Sequence, residues 1–285
     1  MDKVAIITDS IACLPRDVVD QYGIQIVGPT IYFNGKVYRD WLDISPSEAY
    51  QLLEKDPTLF STAPLPPTEY VETYRKLSTR AESILCITVS SKMSTIYNVA
   101  LLAKEQVKEE LANTNIEVLD SQIATGAEGF IVVAAARAAA EGKGLAEVIE
   151  SAQEVKERVG IIFIVETIRH AYRTGRIPKV AAQIGGLLNV KPILTIRDGA
   201  ARFNGLTRSK EKGVNHLLSV MRKKVGTKPV HVAAHHTGAF EECERLRQRV
   251  MAEFDCVEFW LTEFSPLMGY ATGKGALGLA FYAEN

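Results

Sequence analysis

The stretch Val4-Ala-Ile-Ile-Thr8-Asp9-Ser10 is an unbroken apolar run that stops on a hydroxyl, a carboxylate and a second hydroxyl. An apolar run without alternation marks a strand buried on both faces, as parallel sheets require. A polar ending marks the C-terminal edge of such a sheet, where α/β proteins place their ligands. The pattern recurs: Ser83-Ile-Leu-Cys-Ile-Thr-Val89 runs into Ser90-Ser91-Lys92-Met93-Ser94-Thr95, and Glu117-Val-Leu-Asp120-Ser121 repeats it. Helical sequence follows each of them, and this alternation predicts an α/β fold with a parallel, doubly wound sheet.

Working outward, residues 15–22 read as a short helix stopped by Gly23, and residues 24–27 as a second strand. Asn34-Gly35 sits inside an extended stretch and marks a hairpin turn. Ser45-Pro46-Ser47-Glu48 is a capping box with proline at the first helical position. Residues 61–67 read as a proline-rich loop before a helix over 68–78, and residues 129–140 as an Ala-rich core helix. Around Gly160 the pattern changes. Helical segments are expected on either side of Gly175-Arg176-Ile177-Pro178 and Gly185-Gly186. Extended segments joined by Asp198-Gly199 and Asn204-Gly205 turns then favour a mixed sheet. The expected organisation is an N-terminal α/β domain over residues 1–157 and a C-terminal mixed α/β domain over 158–285, with a cleft between them.

A chain of 285 residues is long enough for two cores, and 47% apolar with 24% charged residues is ordinary for a globular protein. The net charge of −1 carries none of the basic excess of nucleic-acid-binding proteins. Cys13, Cys86, Cys243 and Cys256 show no C-x-x-C spacing, which suits a reducing cytosol better than a disulfide framework or a zinc site. No secretory signal and no span of bilayer length is visible, so a soluble, cytoplasmic protein is expected.

Met268-Gly269-Tyr270-Ala271-Thr272-Gly273-Lys274-Gly275 invites comparison with a phosphate loop, but it has three residues between Gly269 and Gly273 and a glycine after the lysine. The motif needs four, and a Ser or Thr there to hold magnesium. His231, His235 and His236 lack the converging partners of a zinc site and read as core or cleft-lining histidines; His170 and His216 stand alone. No nucleophile elbow or Ser-x-x-Lys spacing is present. What accumulates is hydroxyl at strand ends: Thr8, Ser10, Ser61, Thr62, Ser90, Ser91, Ser94, Thr95 and Ser121. A helix N-cap accounts for any one of them. Together with helix-start amides they form a neutral cradle for a carboxylate or phosphate.

These landmarks, in order, resemble the DegV family, whose members bind fatty acids and include the carrier subunits of bacterial fatty-acid kinase. The resemblance rests on Thr8-Asp9-Ser10, Ser61-Thr62-Ala63-Pro64, Ser90 to Tyr97, Asp120-Ser121, Gly175-Arg176-Ile177 with Leu187 to Leu194, and Thr272-Gly273-Lys274-Gly275-Ala276-Leu277-Gly278. It implies a ligand tunnel at the junction of two domains, holding a long-chain fatty acid (about C14–C18) whose methylenes gain about 0.8 kcal/mol each on burial. Ser61, Thr62 and Ser94 are the implied carboxylate contacts, with Ser91, Thr95, Tyr270, Ala271, Thr272 and Lys274 adjacent. Arg176 matches an arginine linked to docking a kinase catalytic subunit; a surface salt bridge is its plainer reading. Ala271 stands where the family commonly has a histidine, and Lys274 where it has a proline. Tyr270 or Lys274 is therefore expected to supply the missing headgroup contact. Thr95 replaces a glycine whose absent Cβ leaves room for the headgroup.

The resemblance implies no cofactor, no metal, no nucleic acid and no enzymatic activity of the chain itself, with peripheral membrane contact during lipid exchange. The alternatives are an enzyme or binding protein for a small anionic metabolite in the same strand-end crevice, and a regulatory module in which lipid is structural filler.

Overall fold

A computed structural model describes residues 2–176 and 190–284. In chain order the elements are β1 (Asp2–Asp9), α1 (Arg16–Tyr22), β2 (Gln25–Val27), β3 (Thr30–Phe33), β4 (Lys36–Arg39), α2 (Pro46–Lys55), β5 (Phe60–Ala63), α3 (Pro67–Ser78), β6 (Ala81–Thr88), α4 (Ile96–Val107), β7 (Asn115–Asp120), α5 (Gly126–Ala140) and α6 (Leu145–Arg158). There follow β8 (Gly160–Ile164), α7 (Arg169–Arg173), β9 (Lys191–Arg197), β10 (Ala200–Thr207), α8 (Lys210–Val225), β11 (Val230–His236), α9 (Phe240–Glu253), β12 (Cys256–Glu263), α10 (Pro266–Thr272) and β13 (Leu277–Ala283).

Strands β2-β1-β6-β7 form an all-parallel sheet, as the three polar-ended apolar runs predict. Helices α3 and α4 pack on one face and α5 and α6 on the other, which is the doubly wound arrangement. The second sheet runs β10-β9-β8-β13-β11-β12; only β11 and β12 are parallel neighbours, so it is mixed. A small antiparallel sheet, β4-β3-β5, carries the Asn34-Gly35 hairpin, with both turn residues at positive φ. The segment read as a proline-rich loop thus begins with a strand, β5, bonded along β3. Of the helical segments expected beside Gly175 and Gly185-Gly186, the one before Gly175 is α7, and residues 177–189 lie outside the described residues.

Helix α5 lies between the two large sheets, against β1 on one side and β11 and β13 on the other. Its sequence is apolar on every face, and nearly every residue from Gly126 to Ala138 is buried. Phe130 stacks on Trp260 of β12 at 4.3 Å and meets Tyr282 of β13 edge-on at 5.2 Å. One core therefore joins both sheets through this helix, and a second fills the far side of the mixed sheet beneath α8 and α9.

The helix can come this close because it starts on glycine. A Cβ built at Gly126 falls 2.4 Å from His235 Nε2 and 2.7 Å from the Ala233 Cβ. Gly126→Ala is expected to cost roughly 3 kcal/mol, from overpacking and a lost buried hydrogen bond. Gly144→Ala meets only the Glu147 carboxylate, 3.7 Å away, and is expected to stay within about 0.5 kcal/mol of the parent. Denaturant melts compare the two, and equal stabilities would contradict the close approach.

Candidate ligand-binding site

The chain leaves β1 for β2 on one side and returns to β6 on the other, so a crevice opens at the C-terminal ends of β1 and β6. Asp9 ties its two lips together. Its carboxylate accepts from Ile11 N at 3.0 Å and from Val89 N at 2.8 Å. Beyond Val89, a turn closed by Met93 N and Ser94 N on Ser90 O (2.9 and 3.1 Å) delivers Met93 and Ser94 to the crevice. The mixed sheet faces them with Phe163, Val165, Leu194 and Ala201.

Helix α10 closes the third side. Ser265 caps it, accepting from Met268 N at 3.4 Å, and Pro266 opens it. The helix seats on α2 through Gly269, where a Cβ would fall 2.1 Å from a Tyr50 ring carbon, and the Tyr50 hydroxyl donates to Phe264 O. Leu267, Met268, Ala271 and Thr272 of this helix line the crevice, as does Arg176 from beyond α7.

The result is an apolar cavity of about 50 Å³ between the two large sheets, with Ser94, Arg176 and Thr272 as the polar side chains in its wall. The Ser94 hydroxyl accepts from Ile96 N at 3.4 Å, which leaves its own proton to give. Arg176 donates to Thr174 O at 3.0 Å and toward Met93 O at 3.4 Å, with further N–H groups to spare. The Thr272 hydroxyl is spent on Met268 O at 2.9 Å.

Of the residues singled out in the sequence, Ser94, Ala271, Thr272 and Arg176 meet at this cavity. The others stand elsewhere. Ser91 donates to Asp120 Oδ2 at 2.5 Å, and Thr95 is exposed at the head of α4. Ser61 and Thr62 lie on β5, opposite Tyr32 and Ile31. Tyr270 packs on Phe60 at 5.4 Å, in the small core under the β3–β5 sheet. Lys274 is exposed and pairs with Glu54 at 2.8 Å. Most strand-end hydroxyls are likewise engaged: Ser10 on Asp40 at 2.5 Å, Ser90 on Gly199 O at 2.7 Å, Ser121 on Ile123 O at 3.2 Å. Their accumulation fixes loops, and among the described strand-end hydroxyls Ser94 stands in the cavity wall with a proton to spare. Met93, Leu267 and Met268 were not anticipated; the signal for Leu267 and Met268 was the Ser265-Pro266 helix start, the same pair of residue types that opens α2.

Behind the crevice lies a buried polar layer. Asp9 and Glu128 are fully buried, and the charge of Asp9 acts on Glu128. Burial, partly offset by the Val89 and Ile11 N–H groups, pushes Asp9 up to about 7. Burial and then the Asp9 charge push Glu128 well above the usual carboxylate range. The Thr8 hydroxyl reaches Glu128 at 3.5 Å. His235, also fully buried, accepts from Gly126 N through Nε2 at 3.1 Å, so its Nδ1–H donates to Thr262 Oγ1 at 2.8 Å. Burial, followed by the neighbouring His236, lowers it to about 3 and keeps the ring neutral. His231 bonds Glu258 at 2.5 Å and stacks on Tyr282. Among the described residues no His, Cys, Asp and Glu cluster could hold a metal ion, all four cysteines are free, and no helix is long and apolar enough to cross a membrane.

A parallel and a mixed sheet sharing one core, with an apolar cavity at their junction, define a two-sheet α/β protein. The chain belongs to the DegV family, whose model, described as that of uncharacterised DegV proteins, matches residues 3–284. A DegV domain-containing protein of Caldanaerobacter subterraneus is 31% identical over 282 residues, 99% of each chain. Among solved structures, a DegV family protein of Thermus thermophilus described by its fatty acid binding superposes with a TM-score of 0.90 at 27% identity, over 99% of this chain and 100% of that one. A stearic acid-binding protein of Eubacterium ventriosum gives 0.88 at 26% identity, over 99% and 98%.

The carboxyl pair predicts a pH dependence. A carboxyl with a raised folded-state pKa contributes fully below its unfolded value and loses that contribution as pH rises toward the folded one. For Asp9 the window runs from 3.8 to about 7. Glu128→Gln keeps the shape and removes the second acid. It is expected to match the parent at pH 5 and to exceed it by roughly 1–3 kcal/mol at pH 8. Denaturant melts at the two pH values check this, and a variant weaker than the parent at pH 8 would overturn it.

Proposed function

We propose that the chain binds a long-chain fatty acid, with its acyl chain in the junction cavity and its carboxylate at the mouth. The observation that carries this reading is the cavity wall: apolar side chains from both sheets and α10, with Ser94 and Arg176 holding uncommitted donors among the described residues. The descriptions of the Thermus and Eubacterium proteins as fatty-acid binders support the same ligand class. Some fifteen methylenes at about 0.8 kcal/mol each offer roughly 12 kcal/mol gross, against association costs of about 4–15 kcal/mol. Headgroup bonds then set orientation more than affinity.

The cavity of about 50 Å³ is far smaller than the roughly 300–1,000 Å³ of ordinary small-molecule sites. Loading therefore requires its walls to part. Met93 and Met268 suit that task, because an unbranched thioether changes rotamer at little cost. Ser94 and Arg176 hold the carboxylate in this reading. Ser91 and Lys274 would first have to leave Asp120 and Glu54, and Ser61, Thr62, Thr95 and Tyr270 stay outside the first contacts. With its carboxylate at the mouth, the ligand is presented to a partner kinase that supplies the nucleotide chemistry, and lipid exchange would bring this mouth against a bilayer.

Denaturing mass spectrometry of a solvent extract from the purified protein tests the ligand class. A stoichiometric fatty acid of about C14–C18 is expected, and a clean extract with no uptake of added palmitate would overturn the reading. Ser94→Ala and Arg176→Gln are each expected to weaken palmitate retention about tenfold, while Lys274→Ala retains it unchanged.

A further inference from the structure

Strands β8 and β9 pair only from Ile162–Thr195 to Ile164–Ile193. Toward the start of β8 and the end of β9 they separate, while the other edge of β8 stays bonded to β13 as far as Gly160–Phe281. The separation opens a second cavity, of about 320 Å³, distinct from the apolar one. Leu194 lines the apolar cavity, whereas Thr195 and Arg197 line this cleft.

Three cations reach into it from three elements: Lys156 of α6, Arg197 of β9 and Lys224 of α8. Lys156 Nζ donates to Asp120 O and Lys224 Nζ to Val159 O, each at 2.7 Å, which leaves N–H donors over on both. Lys224 lies where a side chain would otherwise be, since a Cβ built at Gly160 falls 2.9 Å from its Nζ. Among the described residues, none of the three has a carboxylate within 4.0 Å, whereas Lys191 of β9 and Lys210 of α8 are paired with Glu166 and Glu242. The acids of the cleft, Glu157 and Asp198, are exposed. Lys224 is held below its ordinary pKa by burial and then by the like charge of Arg197.

We propose that this cleft is a binding site for a phosphate-bearing small molecule, with Arg197, Lys156 and Lys224 on its phosphate oxygens. A carboxylate offers two oxygens in one plane, which a single arginine satisfies. Cations arriving from three elements match a tetrahedral group with oxygens in three directions, and its double charge relieves the Lys224–Arg197 repulsion. Asn204 in the wall has its Oδ1 on His216 at 2.7 Å, which leaves its amide N–H groups for the remainder of an ester.

The test is isothermal titration of the full chain at constant ionic strength, with inorganic phosphate and with phenyl phosphate as probes. Saturable binding at one site is expected, weakened at least tenfold by Arg197→Gln and by Lys224→Gln. Gly160→Ala acts in the same direction by displacing Lys224, and palmitate retention is unchanged in all three. Tighter binding of phenyl phosphate identifies an ester ligand; equal binding identifies free phosphate. Arg197 is exposed, so Arg197→Gln folds as the parent does and keeps the comparison clean. No saturable uptake of either probe up to about 10 mM, or equal binding by the parent and Arg197→Gln, would overturn the site.

Discussion

The first backbone N–H of α5 donates to the ring of a histidine on the other sheet, and the seating of the two halves depends on that contact. Gly126 N reaches His235 Nε2, His235 Nδ1–H reaches Thr262 Oγ1, and the Thr262 hydroxyl donates to Cys13 O at 3.1 Å. Every donor and acceptor is used once, which fixes the tautomer and links α5, β11, β12 and the turn after β1. An unsatisfied polar group at such depth costs about 1–3 kcal/mol, so the relay is complete or the sheets part. The crevice at the ends of β1 and β6 inherits this constraint. Ile11 lies between Asp9, whose carboxylate it donates to, and Cys13, and it lines the cavity.

The junction also holds two buried titrating systems of opposite sense. The raised Asp9 and Glu128 favour acid conditions for the folded state, while His235, lowered to about 3, loses its contribution as pH falls below 6.5. Between roughly pH 4 and 6.5 the two trends offset one another. A protein that places acids and a histidine in one buried layer can thus keep its halves together over a broad range, provided neither is removed alone. The layer is costly to bury, and α5 repays that with the apolar contacts of Phe130 on Trp260 and Tyr282.

Much of the architecture was legible because single residue types forced it. The apolar runs ending in Asp9-Ser10, Val89-Ser90 and Asp120-Ser121 are β1, β6 and β7, and the Ser45-Pro46-Ser47-Glu48 box starts α2. The site was less legible. The segment from Met268 to Gly275 invites comparison with a phosphate loop, yet Ser265-Pro266 starts a helix there, Gly269 serves its approach to Tyr50, and Gly273 and Gly275 take the positive φ that ends it. The apolar run Leu277–Ala283 is a central strand of the mixed sheet, a pattern visible in the sequence but overshadowed by the glycines before it. Hydroxyl density misleads for a physical reason: sequence counts donors, whereas a site depends on donors left unspent. Ser10, Ser90, Ser91 and Ser121 are spent on fixing loops.

The same accounting separates the two cavities. At the junction mouth, Ser94 and Arg176 are unspent beside apolar walls, which suits a ligand that is mostly hydrocarbon with one polar end. In the β8–β9 cleft the unspent groups are cations, which suits a small ligand that is mostly charge. The two cavities are near each other through β9 and the turn after it: Leu194 lines one and Thr195 the other, and Gly199 of the Asp198-Gly199 turn accepts the Ser90 hydroxyl three residues before Met93. A strand can carry both chemistries because its side chains alternate faces. Movement of the turn to admit an acyl chain past Met93 would be felt at Arg197 and Asp198, which adjoin Gly199 in the chain. The short β8–β9 pairing thus lies between the apolar cavity and the charged cleft.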